Sequence, residues 1–208
     1  MKFVGVYITC FLILCAWRFY EQRKSERLDK KASDEFWARE EEANHTRKKD
    51  ISHLPLLEVK ESEIPMSDSS DESILYYIDH IREIIKMPMI DLSEYSNTDL
   101  KLAYGVANFN ILSEYDENYN TFLLTLSNLA RSYSRADLYE EAKACYELAL
   151  YYGSKKRSDY TDLAEVYLKL DTPELITTLV RQLEEGCHPR KASLIEAVEE
   201  VRAHYNNG

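Results

Sequence analysis

Glycine and proline are scarce, five of each in 208 residues. A chain so short of turn-formers, and rich in Glu, Leu, Lys and Ala, favours helix over sheet and leaves no room for a Gly-rich phosphate loop. Cysteine is equally uninformative as a framework. Cys10 and Cys15 fall in an N-terminal apolar run, Cys145 and Cys187 stand alone, and no Cys-x-x-Cys pair occurs. Nothing therefore points to a disulfide scaffold or an oxidising compartment, and Cys145 reads as a buried thiol. The five histidines are scattered, with no His-x-x-x-His pair and no Cys/His cluster, so no metal and no cofactor is expected. Serine and cysteine nucleophile motifs are missing too, and the chain is not expected to be an enzyme. Positive charge is short where a nucleic-acid surface would need it. Residues 50–208 carry 15 Lys and Arg against 29 Asp and Glu, within a whole-chain balance of −11. A body this acidic repels phosphate, and no nucleic-acid partner is expected.

Long apolar runs are also rare, but one is present. Residues 3–17 are uncharged and almost wholly apolar, and Arg18, Phe19 and Tyr20 follow. Fifteen residues fall short of the ~20 that span a bilayer. A snorkelling Arg18 and interfacial Trp17, Phe19 and Tyr20 extend the reach to residue 20. A signal-peptide cut needs small residues before it, yet the run ends in Ala16-Trp17-Arg18-Phe19-Tyr20, so residues 1–20 read as an uncleaved transmembrane helix. Arg18, Arg23, Lys24, Arg27, Lys30 and Lys31 follow the span, whereas only Lys2 and the α-amine precede it. The positive-inside rule then places a single-pass protein in the cell membrane with its C-terminal domain in the cytoplasm.

Residues 21–49 form a charged juxtamembrane helix, supported by i,i+4 pairs such as Glu26–Lys30, with Phe36-Trp37 as its large aromatics. Residues 34–49, with the core Glu-Phe-Trp-Ala-Arg-Glu and Arg47-Lys48-Lys49, resemble the juxtamembrane part of small bacterial membrane proteins. Pro55, Pro65 and several serines mark residues 50–72 as a linker, with Leu56, Val59 and Ile64 able to touch the domain that follows. Within residues 73–208, Ile74, Ile78, Ile81 and Ile85 line one helix, which ends before Pro88. Leu102, Val106, Phe109 and Leu112 line a second, with Gly105 marking a close approach. Asp116-Glu117-Asn118 is expected to break that helix. Gly186 reads as a left-handed C-cap, and Pro189 as the start of a final capping helix through about Tyr205.

Between these lies a pattern repeated at a spacing of 34 residues. Leu126, Leu129, Ala130 and Tyr133, then Ala142, Tyr146 and Ala149, reappear as Tyr160, Leu163, Ala164 and Tyr167, then Ile176, Val180 and Leu183. Steps of three and four place each set on one helix face. The pattern, clearest over residues 123–189, resembles the tetratricopeptide repeat, a family of helix–turn–helix units with this period. Ile176 and Leu183 stand where the family has small residues. The resemblance implies an all-α fold in which antiparallel helix pairs stack as a short α-solenoid, here joined to the N-terminal transmembrane helix. It also implies a protein-binding scaffold, with a groove lined by the first helix of each unit.

On this chain the groove positions are Leu124, Ser127, Asn128, Arg131 and Arg135, followed by Ser158, Thr161, Asp162, Glu165 and Lys169, with Leu168 beside them. Asn128 and Arg131 have the donors to hold a peptide backbone or carboxylate. Ser127 and Arg131 occupy the places where carboxylate-clamping members of the family carry Lys and Asn. The expected role is a membrane-anchored scaffold or adaptor for a protein or peptide; the alternative is a structural subunit of a larger membrane complex.

Overall fold

The computed structural model describes residues 2–188 and 190–206, and the side chains of residues 17–188 and 190–205. Among these residues are eight α-helices, two short 3-10 turns and no strand. The first helix, α1, is Lys2–His45. The expected anchor lies largely on residues whose side chains are outside the described set. Among the described residues no helix is long and apolar enough to cross a membrane. The chain divides into two compact units, residues 1–53 with 94–111, and residues 54–93 with 112–208.

In the first unit α1 meets α3 (Asn97–Tyr104). From Trp17 to Arg39 every side chain of α1 is exposed; contact with α3 begins at Arg39, and burial at Glu40 and the fully buried Ala43. Glu40 accepts from Thr98 and pairs with Lys101 at 3.2 Å, and Arg39 pairs with Asp99 at 2.6 Å. The expected Glu26–Lys30 pair does not form; Gln22 donates to Glu26 at 3.3 Å, and Lys31 pairs with Glu35 at 3.6 Å. Ser96 and Asp99 close a reciprocal capping box at the start of α3. The helix then stops at Gly105 rather than running on to Leu112. Gly105 has φ 89°, and a Cβ there would fall on the Arg47 carbonyl, so only glycine permits the approach.

The second unit holds α2 (Glu72–Ile84), the part of α4 (Phe109–Arg135) from Leu112 onward, α5 (Tyr139–Tyr151), α6 (Arg157–Lys169), α7 (Glu174–Glu185) and α8 (Lys191–Asn206). Pro189 is outside the described residues. Asp71 caps α2 by accepting from the backbone N–H of Ser73 (2.8 Å) and Ile74 (3.3 Å). Ile84, not Ile85, completes the buried stripe of α2 with Ile74, Ile78 and Ile81. No break occurs at residues 116–118. Leu112, Tyr119, Phe122 and Leu126 keep a buried stripe at helical spacing, and the polar residues between them find partners without leaving the helix. Asp116 accepts from the Leu92 N–H at 2.9 Å, and Asn118 donates to the Pro88 carbonyl at 3.1 Å.

Of the fourteen repeat positions, all but the half-buried Val180 are buried. Helix α6 packs against α5, α7 and α8, and α8 also against α7. The turns recur with the side chains. After α4, Asp137 (φ 57°) is left-handed; the Leu138 N–H reaches the Tyr133 carbonyl at 3.0 Å and the Asp137 N–H reaches Ser134 at 3.3 Å. Thirty-four residues on, Asp171 (φ 55°), Thr172 N–H to Tyr167 at 2.9 Å and Asp171 N–H to Leu168 at 3.2 Å repeat the same Schellman motif. Gly153 (φ 96°) closes α5 in the same way. Gly186 does not: its φ of −75° and ψ of 160° are extended, so it is no left-handed cap.

Residues 54–68 are held to this unit rather than free. Val59 and Ile64 are buried in its core, whereas Leu56 stays exposed. The Leu57 N–H donates to Met89 at 2.8 Å, Tyr133 donates to the Pro65 carbonyl at 3.0 Å, and Arg82 pairs with Glu61 at 2.7 Å.

Candidate functional site

Two helices present the groove residues expected from the repeat. Leu124, Asn128, Arg131 and Arg135 follow one another along the outer side of α4 at steps of four, three and four. Thr161, Asp162, Glu165 and Lys169 do so on α6. Arg131 joins the helices: its Nη2 lies 3.3 Å from Asp162 Oδ2, with both side chains about one-third exposed, and its Nη1 lies 3.5 Å from Asn128 Oδ1. The same Asp162 oxygen accepts from the Tyr146 hydroxyl at 3.1 Å. Burial, and then the Asp162 charge, push the Tyr146 hydroxyl well above the usual phenol range.

Arg131, Arg135, Lys169, Asp162, Glu165 and Tyr139 line a cavity of about 270 Å³, beside Ser134, whose hydroxyl is buried without a partner. Burial, reinforced by Asp162, raises the Glu165 carboxyl, and Lys169 partly offsets this. Arg135 and Lys169 make no ion pair among the described residues. The cavity therefore offers two cations without an ion pair among the described residues and a guanidinium already committed to a carboxylate. Such groups have the chemistry to meet an anionic or hydrogen-bonding group. A neighbouring cavity of about 410 Å³ shares Glu165 and Lys169, includes Thr161, and is completed by Arg157, His204 and Tyr205.

Leu168 is buried in the core and lines the floor of that second cavity. The other expected positions fall elsewhere. Leu124 is 48% exposed and lies on neither cavity, and Ser158 is half-buried. Ser127 is fully buried and presents nothing to a partner. The reason is Asp159, a carboxylate with no exposed surface, whose Oδ2 accepts from Ser127 Oγ at 2.8 Å and from Ser154 Oγ at 2.5 Å. A buried charge needs such donors, and here they tie α4 to the turn that precedes α6.

A feature the sequence reading missed lies on the other side of α6. Leu150, Tyr151, Leu163, Leu175, Leu179 and Leu183 line an apolar cavity of about 470 Å³, with Tyr151 80% exposed at its edge. The step of four from Leu175 to Leu179 to Leu183 was the available signal, because only Leu183 of that stripe belongs to the repeat pattern. Among the described residues no group of three His, Cys, Asp or Glu is placed to hold a metal ion. Comparison with protein-family models, curated proteins and solved structures found no match.

Proposed function

We propose that the chain is a membrane-anchored scaffold of tetratricopeptide-like helix pairs, which binds a protein or peptide through the cavities between α4, α6 and α8. The observation that carries this reading is the double recurrence at 34 residues, in buried side chains and in the left-handed turns at Asp137 and Asp171. A single helix pair cannot bury its apolar face alone, and stacking of successive units leaves the outer faces of the first helices open to a ligand. The packing of α6 on α8 supports this, since both would be first helices. The role is recognition, with no step of catalysis assigned to the chain.

Anchoring rests on residues 3–20, which at ~1.5 Å per residue extend about 27 Å as helix, close to the ~30 Å hydrocarbon core. The cations after the run orient the body to the cytoplasmic side. Tethering raises the local concentration of partners, so weak contacts suffice.

Arg135→Ala and Lys169→Ala remove cations that stabilise no other group by ion pairing, so they test binding apart from folding. Partners recovered from solubilised membranes with the full chain should be depleted about tenfold or more in the double variant, as expected for two contacts of roughly 0.7 kcal/mol or more each. Equal recovery by mass spectrometry would remove these cavities from the reading.

A second reading, a structural subunit of a larger membrane complex, is favoured by Phe36 and Trp37, which are 54% and 66% exposed on α1 and pack edge-to-face on each other. Two exposed aromatics are a costly spacer and a good anchor. Size analysis in mild detergent separates the two readings: a subunit migrates with stoichiometric partners, whereas a scaffold migrates alone.

A further inference from the structure

Beyond its apolar run, α1 sorts its charges by face. At ~100° per residue, Lys30, Arg23, Arg27, Lys31 and Lys24 fall within roughly 120° of arc, while Glu21 and Asp29 occupy the other side with Arg18, and Glu26 borders Lys30. All of these side chains are exposed. Glu26 and Asp29 are served by their own neighbours, Gln22 donating to Glu26 at 3.3 Å and Ser25 to Asp29 at 3.4 Å. On the basic face Lys31 pairs with Glu35 at 3.6 Å and Arg23 lies over the Phe19 ring, 4.5 Å from its centre. Lys24, Arg27 and Lys30 make no ion pair among the described residues. Further along the same azimuth stand Asp34, Glu41 and Glu42, so the basic face ends at Lys31.

A row of cations without counter-charge, on a chain whose residues 50–208 are strongly acidic, calls for an external anion. Its position along the helix says which. Measured from Arg18 at ~1.5 Å per residue, Arg23 and Lys24 stand about 8–9 Å along the axis, Arg27 about 14 Å, and Lys30 and Lys31 about 18–20 Å. A headgroup layer about 6 Å deep plus a Debye length of about 8 Å reaches as far as Arg27.

We propose that Arg23, Lys24 and Arg27, on one face of α1, gather anionic phospholipid headgroups around the point where the chain leaves the membrane. The inference rests on the reading of residues 3–20 as an anchor. Each cation near a membrane surface favours an anionic lipid about fivefold. The enrichment opposes the repulsion between an anionic bilayer and the acidic body.

The full chain carrying Trp37→Phe retains Trp17 as its only indole. It is reconstituted into phosphatidylcholine nanodiscs that contain the same minor fraction of either brominated phosphatidylglycerol or brominated phosphatidylcholine. Bromine quenches the indole on contact, so the ratio of the two quenching efficiencies reports which lipid surrounds the exit point. The anionic lipid should quench Trp17 at least about twofold more strongly. Arg23→Gln with Lys24→Gln and Arg27→Gln should bring the ratio to one, whereas Lys30→Gln with Lys31→Gln should leave most of it. Equal quenching in the parent chain would leave the anchor standing and overturn the lipid site. A loss as large in the Lys30 and Lys31 variant as in the triple one would also overturn it, because bulk charge would then account for the preference. No quenching by either lipid would place Trp17 outside the bilayer and remove both the anchor and the site.

Discussion

A carboxylate sealed from water is stable only while donors face it, and at Asp159 the donors are serine hydroxyls. Ser127 and Ser154, on different elements, converge on Oδ2, and Ser158 reaches Oδ1 at 3.4 Å. Ser127 also stands 2.9 Å from the Leu123 carbonyl, but its single proton favours the charged acceptor. Asp159→Ala leaves the buried Ser154 hydroxyl without its acceptor and Ser127 with only the Leu123 carbonyl, and should lower the opening free energy of α4 and α6 by about 1–2 kcal/mol. Asp159→Asn keeps one oxygen in place for both serines and should cost roughly half as much. Hydrogen exchange of the amides in the two helices measures both values, and an alanine variant as protected as the parent would show that water already reaches the site. The sequence held a hint of this cluster. Asp159, Leu163 and Val166 follow at four and three, so Asp159 belongs to the inward stripe, and its burial obliges a partner. Ser127 was legible as a position in the repeat but not as that partner, because the Ser154 turn that completes the site lies between the two repeat copies.

The turns between paired helices show what an element can hide in its last residue. A left-handed position after a helix suits glycine, and an L side chain there costs roughly 1 kcal/mol, somewhat less for aspartate. Asp137 and Asp171 both occupy it, 34 residues apart, and the two differ in one respect. Asp137 accepts the Tyr139 hydroxyl at 2.6 Å, and the Asp171 carboxylate makes no side-chain hydrogen bond among the described residues. Asp171→Gly should therefore raise stability by about 0.5–1 kcal/mol, while Asp137→Gly, which relieves the same backbone and loses that bond, should be near neutral. Urea unfolding followed by far-UV circular dichroism distinguishes them, and equal gains would mean that the Tyr139 contact contributes nothing. Periodicity read the apolar faces of these helices well because burial imposes it directly. Boundaries were read less well, for reasons that are local. Asp116, Glu117 and Asn118 are middling helix formers, not breakers, and the stripe from Leu112 to Leu126 carried α4 through them. Gly105, in contrast, ended a stripe that looked continuous, because its conformation is set by the Arg47 carbonyl, far away in sequence.

Across the whole molecule the tyrosines link the fold to pH. The helical class and the cavity residues Arg131, Arg135, Asp162, Glu165 and Lys169 were legible from the repeat. Which hydroxyls find partners was not, since three of these four contacts involve residues 54–68 or a carboxylate of a neighbouring helix. Tyr133 donates to Pro65, Tyr152 to Glu63 at 2.5 Å, Tyr167 to Glu147 at 2.9 Å and Tyr119 to the Tyr152 carbonyl at 2.7 Å. Burial raises all four; carboxylates add to it at Tyr119, Tyr152 and Tyr167, with Tyr119 pushed up to about 12 beside Asp91 and Asp116, whereas at Tyr133 a contact with Ser67 partly offsets it. A phenol whose folded value lies above its unfolded value of about 10 binds its proton more tightly when folded. Its contribution is complete below pH ~10 and is lost as pH climbs from there through the folded value. Several such groups act together with the Cys145 thiol, which burial also raises, so stability should be flat from neutral pH to about 8.5, decline from there and fall steeply above about 10. Phenolate absorbance near 295 nm should rise for these residues only as helical circular dichroism disappears. Tyr167→Phe removes one of the linked protons and should make the alkaline fall shallower. Phenolate appearing for all sixteen tyrosines near pH 10, with the helices intact, would mean that these hydroxyls exchange their partners for water without unfolding.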